Sequence, residues 1–226
     1  MHLNLILELV LKRNLNLNLK KMTPIIIWTT AFLLYTIFWL WYVGIRKPLS
    51  DAQIDHYLKE LSKYNNTSSE GLTDLRKFLE NDTGKSFVMV NSIKLKKTPD
   101  MVDGVKEGDS SLKTLITYHK SFMKAMIKRA GIGIFQGRVA GNSVDVIGIE
   151  NAEEWSISGI NRFRSRKDLM EILITPEFHE KHEFKFAALS KSIAYPVDPW
   201  FQLGGFPLTV GLVLALVAAI AHIFLV

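Results

Sequence analysis

The sequence predicts an α+β domain of the split βαβ type, inserted between two transmembrane helices and preceded by a short helical extension. Three observations carry this. Residues 22–45, MTPIIIWTTAFLLYTIFWLWYVGI, contain no charged side chain, and about 20 apolar residues in a helix cross roughly 30 Å of hydrocarbon. Residues 206–226, FPLTVGLVLALVAAIAHIFLV, contain no Asp, Glu, Lys or Arg. Between these spans the pattern reads strand, helix, strand, strand, helix, strand, the order of an α+β sandwich with its helices on one face of an antiparallel sheet.

Residues 1–21, MHLNLILELVLKRNLNLNLKK, form a Leu/Asn/Lys-biased basic tail unlike the rest of the chain, and Met22 is an alternative start. In the first span (22–45), Trp28 lies near one end and Trp39, Trp41 and Tyr42 near the other, as in interfacial belts, and Arg46-Lys47 closes the run. The bulky FWLWYVG end is not a signal-peptide cleavage site. Two spans place both termini on one side and residues 46–205 on the other. With the start at Met22, Arg46-Lys47 points the domain to the cytoplasm; with the tail present, the basic residues nearly balance.

Residues 46–84 read as a helical juxtamembrane segment. Ser50 with Gln53 three residues on is a capping-box signal, followed by the apolar face Ile54, Tyr57, Leu58 and Leu61. After the loop NNTSSEG, Leu72, Leu75, Phe78 and Leu79 mark a second helix ending near residues 81–84. Asn65-Asn66-Thr67 matches a glycosylation sequon, a pattern common by chance.

The α+β domain is predicted over 85–198. SFVMVNSIKL is strand-like, and residues 111–131 form a helix with Leu112, Leu115, Ile116, Met123, Met126, Ile127 and Ala130 on one face. GIGIFQGRVA, SVDVIGI and EWSISGINRF are further strand candidates. Ser165 with Asp168 caps the next helix, Thr175-Pro176 starts another, and IAYPV closes as a strand. Residues 199–226 comprise an interfacial turn and the second span, where Gly211, Ala215 and Ala219, spaced by four, offer a small-residue stripe for close helix packing.

The chain has 226 residues, 48% hydrophobic, with a net charge of +6. Lys12, Arg13, Lys20 and Lys21, less Glu8, account for +3 of it. The remaining +3 is interspersed with acids and does not predict nucleic-acid binding. Zero cysteines exclude disulfides, thiolate metal sites and a cysteine nucleophile.

FLENDTGKSFVMVNSIKLKK, NRFRSRKDLMEILITPEFHEKHEFKFAALSKSIAYP and DPWFQLGG before an apolar helix resemble a membrane-attached branch of a bacterial domain-of-unknown-function family in the dimeric α+β barrel superfamily. The similarity covers about residues 74–196 and is most specific at RFRSRKDLMEI and PEF. It implies a ferredoxin-like fold, often paired as two sheets around a pocket. The superfamily spans cofactor-independent oxygenases, isomerase-like enzymes, haem-handling proteins and plain binders, so it fixes fold better than function. The two spans and the 46–84 helices depart from a free-standing member.

His119 shares the apolar face of its helix while Lys113, Lys120, Lys124 and Lys128 fall outside it. A half-buried imidazole there is either a core histidine satisfied by a carbonyl or by Tyr118, or a general acid or base. Arg162 and Arg164 beside a helix start suit an anion, or else salt bridges with Glu153, Glu154 or Asp168. Tyr118 and Phe122 are candidate ligand contacts. Phe87, Met89, Met101, Met123, Met126, Phe135 and Trp155 line either a pocket or the core. HEKHE, with His179 and His182, lacks the zinc-hydrolase order and reads as surface; no metal and no cofactor are expected. His222, near the far end of the second span, is expected at interface water.

The expected function is a membrane-tethered binding or accessory module for a small apolar or amphiphilic molecule or a membrane partner protein. The alternatives are a cofactor-independent isomerase or oxygenase on a lipid-soluble substrate, and a structural subunit of a membrane complex. Expected partners are membrane lipid, a second copy or other complex subunits, and a small apolar ligand, in the bacterial inner membrane.

Overall fold

The computed structural model describes residues 2–64, 68–202 and 204–225; the sequon at 65–67 lies outside the described residues. Two compact units divide the chain, one made of residues 1–44 and 201–226 and the other of residues 45–200.

The first unit pairs α1 (His2–Tyr42) with α7 (Phe206–Leu225). Within them, Met22–Tyr42 and Phe206–Leu225 are long and apolar enough to cross a membrane. The tail predicted as separate at 1–21 continues the same helix. Where α7 approaches α1, a side chain at Gly211 would sit 3.2 Å from the Tyr35 ring, the close approach that small residues permit. The rest of the predicted stripe lies differently: Ala215 is exposed, Ala219 half-buried, and Ala218 buried. The contact face thus steps from 211 to 218 at helical periodicity, because a strict four-residue step drifts around a helix of 3.6 residues per turn. Phe206 meets Phe38 edge-on at 5.6 Å and Tyr42 at 5.4 Å. His222 is half-buried, and its Nδ1 has no hydrogen-bond partner among the described residues.

The second unit carries α2 (Asp51–Leu61), α3 (Ser69–Glu80), β1 (Phe87–Leu95), α4 (Ser111–Lys128), β2 (Ile132–Arg138), β3 (Ile157–Phe163), α5 (Arg166–Leu173), α6 (Pro176–Ala188) and β4 (Leu189–Val197). The four strands form one antiparallel sheet in the order β2-β3-β1-β4. Ser50 and Gln53 form the predicted capping box of α2, and the Ser165 hydroxyl accepts the Asp168 N–H at 3.1 Å to cap α5. Pro196 sits on the edge strand β4, where a missing N–H is tolerated.

SVDVIGI is not a strand. Residues 140–155 form a connection between β2 and β3 in which Val144 is 102% and Ile147 84% exposed. The Ser143 hydroxyl and the Trp155 indole N–H both donate to the Ala152 carbonyl, at 2.5 and 2.9 Å. The segment alternates like a strand, but β2 and β3 already pair with each other, and Gly148 and Asn151 at positive φ (69° and 54°) turn the chain away from extension.

Strand periodicity divides the sheet into two faces. Phe87, Met89, Asn91 and Ile93 of β1 share one face with Phe163, Asn161, Gly159 and Ile157 of β3, through the pairs Phe87–Phe163, Met89–Asn161, Asn91–Gly159 and Ile93–Ile157. At one end of this face Phe87 stacks on Phe163 at 5.4 Å, and both bury with Met126, Leu169 and Ile172. A second cluster joins Ile54, Tyr57, Leu58 and Leu61 of α2 to Leu79 and Met170, so α2 and α3 pack into the core of this unit. Each such side chain contributes about 1.5–3 kcal/mol on burial.

Candidate functional site

Towards the other end of the same face, sheet and helices part to leave a cavity of about 890 Å³. Its floor is made by Met89, Asn91 and Ile93, by Ile157, Gly159 and Asn161, by Gly133 and Gln136, and by Ser192, Ala194 and Pro196. The middle of this floor is small or polar where a packed core would carry Leu, Ile or Phe. Leu112, Leu115, Ile116, His119, Phe122 and Met123 of α4 wall it from above, beside Phe178, His179, His182 and Lys185 of α6 and Leu75 and Phe78 of α3. Leu112 and Ile116, predicted as core, are exposed because they line this opening. Of the other pocket-or-core candidates, Phe87 and Met126 are core, whereas Met89, Phe122 and Met123 line the cavity. Such walls, apolar with few polar groups, in a volume between about 300 and 1,000 Å³, are those of small-molecule sites.

His119 lines the cavity, and its ring has no hydrogen-bond partner among the described residues, neither a carbonyl nor Tyr118 nor an orienting carboxylate. Burial lowers its pKa from the ordinary histidine value, so the neutral ring is favoured. Tyr118 stacks on Phe122 at 5.8 Å and on His182 at 5.6 Å, and burial pushes its phenol up. Phe122 also meets Phe178 at 6.2 Å, so these aromatic contacts run antiparallel across α4 and α6.

The two histidines of HEKHE turn inward, while Glu180 and Glu183 are exposed. His179 and His182 both line the cavity; His182 Nδ1 is buried without a hydrogen-bond partner among the described residues, and His179 stacks on Tyr64 at 3.4 Å. Burial, with Lys185 and His179 nearby, pushes His182 down to about 4. Lys185 also lines the cavity, and burial lowers its pKa. The sequence signal for this wall was the i, i+4, i+7 stripe of Phe178, His182 and Lys185, obscured by Phe184 on another side of α6. Among the described residues, no group of three His, Cys, Asp or Glu side chains is disposed to hold a metal.

Arg162 and Arg164 do not join His119. Arg162 lies on the opposite face of β3, buried, and donates to the Ala130 carbonyl at 3.0 Å. Ala130 has φ of 55°, a left-handed conformation unfavourable for a residue with a Cβ, and this bond helps hold it at the end of α4. Arg164 grips Asp168 with two bonds, Nε to Oδ2 at 3.0 Å and Nη2 to Oδ1 at 2.7 Å, while Ser165 donates to the same carboxylate at 2.6 Å. Burial works to raise the Asp168 pKa, but the bonds from Arg164 and Ser165 and the charges of Arg164 and Arg46 outweigh it and hold the carboxyl below its usual range.

Arg166 completes this corner. It donates to the Phe78 carbonyl, lies 4.4 Å from the Phe78 ring centroid and approaches Asp198 at 3.4 Å and Asp82 at 3.8 Å. Asp82 in turn accepts the N–H groups of Leu49 at 2.9 Å and Gly84 at 3.0 Å. Gly84, at φ 70°, has no alternative: a Cβ there would lie 2.5 Å from the Arg46 carbonyl oxygen. The basic turn therefore binds the 46–84 segment to the sheet.

No protein-family model and no curated protein matches the chain. Among solved structures it is similar to a protein of unknown function from Rhodopseudomonas palustris, at 18% identity over 61% of this chain and 97% of that one, with a TM-score of 0.49. The methylated form of that protein gives 19% identity over 63% and 98%, with a TM-score of 0.50. A dimeric protein of unknown function and ferredoxin-like fold from Bacteroides fragilis gives 14% over 52% and 99%, with a TM-score of 0.28. The likeness is one of fold. It covers nearly all of each solved chain and leaves more than a third of this one outside it, and it carries no assignment of ligand or chemistry.

Proposed function

We propose that this chain is a membrane-tethered binding module with a ferredoxin-like domain, and that its cavity takes up a small, mainly apolar molecule. The observation that carries this reading is the cavity itself: about 890 Å³ walled by Leu112, Leu115, Ile116, Phe122 and Met89, with His119, Asn91 and Asn161 as sparse polar points. A core built only for stability would fill such a volume, since each lost contact lowers stability. The strand order β2-β3-β1-β4, with a helical connection from β1 to β2 and another from β3 to β4, supports the split βαβ arrangement.

The reading includes attachment to a bacterial inner membrane through the helices Met22–Tyr42 and Phe206–Leu225, which are long and apolar enough to span one, and Arg46-Lys47 beside the first favours residues 45–200 on the cytoplasmic side. Tethering raises the domain's local concentration towards membrane-borne molecules. A homodimer is part of the reading, because the sheet face turned away from the cavity exposes Ile193 and Tyr195, apolar side chains of the kind that association covers. His119 is then a ligand contact rather than a general base, since no carboxylate among the described residues orients it.

The test is a fluorescence titration of the full-length protein, in nanodiscs, with an environment-sensitive apolar dye such as 1-aminoanthracene. The expected result is a saturable rise that disappears in Gly159→Leu. A signal that never saturates and equals that of protein-free discs would reject the reading. The zero-cysteine sequence also allows a direct topology test. Lys97→Cys should react with a membrane-impermeant maleimide only after the cells are lysed; labelling of intact cells would reverse the orientation.

A further inference from the structure

The α6 wall of the cavity differs chemically from the rest. Lys185 lines it, yet among the described residues its ammonium pairs with no carboxylate; its contact is with the face of the Tyr118 ring, 5.9 Å from the centroid. His182, one turn earlier, stacks on Tyr118 and has a buried Nδ1 without a hydrogen-bond partner among the described residues, and His179 adds a third nitrogen-bearing side chain to the same wall. Asp74 is the one carboxylate among the lining residues; it is exposed and lies 3.2 Å from Lys77. An ammonium drawn out of water without a counter-ion is unfavourable, and a bound anion relieves that penalty.

Resting on the binding reading above, we propose that the ligand is an amphiphilic anion, a carboxylate on an apolar chain. The carboxylate is held at the Lys185–His182–Tyr118 corner, and the chain lies between α4 and the small-residue floor of the sheet. Lys185 Nζ donates to the carboxylate, the Tyr118 hydroxyl and a ring nitrogen of His182 are available to donate beside it, and Leu115, Ile116, Phe122 and Met89 line the space for the chain. Charge-assisted hydrogen bonds in such a site are stronger than neutral ones. The low pKa values of Lys185 and His182 agree with an arrangement that gains by the arrival of negative charge.

The experiment compares dodecanoate with dodecanol, which shares its chain and lacks its charge. Both are titrated at neutral pH into the full-length protein in phosphatidylcholine nanodiscs, with protein-free discs as the partition reference. Dodecanoate is expected to bind about tenfold or more tightly than dodecanol. Lys185→Met, close in volume and uncharged, should bring the two affinities together, and Lys185→Arg should retain the preference. Saturable but equal binding of both probes by the wild type would overturn the head-group assignment and leave the cavity reading standing. A preference that survives Lys185→Met would overturn it too, by placing the anion elsewhere. Saturable binding of neither probe would remove the cavity reading itself.

Discussion

One face of one sheet is built in two ways. At the end marked by Phe87 and Phe163 it is a solid core, both rings at most 2% exposed and closed over by Met126, Leu169 and Ile172. A few residues along the same strands, Asn91, Gly159 and Asn161 replace the large side chains, and the face becomes the floor of a cavity. The backbone is continuous and the register unbroken between β1 and β3, so side-chain size alone makes the difference. The closed end supplies the stability that lets the open end remain unfilled.

The most disruptive way to break this comparison is at the closed end. Phe163→Ala should lower the stability of the protein by about 3–5 kcal/mol, read as a large drop in melting temperature in detergent. If it melts within a degree or two of wild type, the two ends are not energetically distinct. Next in size is the corner beneath the closed end. Asp168→Asn leaves the Arg164 guanidinium, itself largely buried, without its counter-charge, and should cost about 3 kcal/mol. Because the Asp168 pKa is lowered by folding, its contribution is full above the ordinary carboxylate pKa and is lost as pH falls through the lower folded value. Acid melting curves of wild type and Asp168→Asn should therefore converge at low pH; curves that stay parallel would mean the pair is not what Asp168 contributes.

At the open end the effects on stability are small and those on binding large. In Gly159→Leu the new Cβ would approach nothing nearer than the Phe135 carbonyl oxygen at 3.4 Å, and the rest of the side chain enters the cavity. Stability should change by no more than about 1 kcal/mol, while uptake of an apolar probe is lost. Severe destabilisation would show that the floor is packed after all.

The fourth test is the pH response of His182. Its folded pKa, about 4, lies below the ordinary 6.5, so between these values the unfolded chain binds the extra proton and stability falls as pH falls. The groups facing it, Tyr118, Phe178, His179, Lys185 and Phe186, include no carboxylate to reverse that sign. His182→Phe should flatten the thermal-stability profile across this window, and an unchanged profile would show that the ring is already hydrated.

Much of the scaffold was legible in the sequence because periodicity reports burial directly. The capping signals at Ser50 and Ser165, the α4 face and the two apolar helices all follow from local pattern. SVDVIGI was misleading for a physical reason, since alternation marks a strand only when a neighbour is free to pair with it. The cavity was half legible. His119, Tyr118 and Phe122 stand on a clear helical face, but Asn91, Gly133, Gly159 and Asn161 read as ordinary strand positions until the sheet register places them together. Lys185 and His182 were hidden because α6 carries apolar residues on several sides, and Arg162 and Arg164 drew attention to a corner whose basic groups hold the fold together.

The most direct measurement is native mass spectrometry of the full-length protein released from mild detergent, wild type beside Gly159→Leu. The wild type is expected to carry a recurrent small molecule at one per chain, and Gly159→Leu, equally folded, to carry none. A wild type that flies bare, or a variant that keeps the same adduct, would contradict the assignment of the open end of the sheet as a binding site.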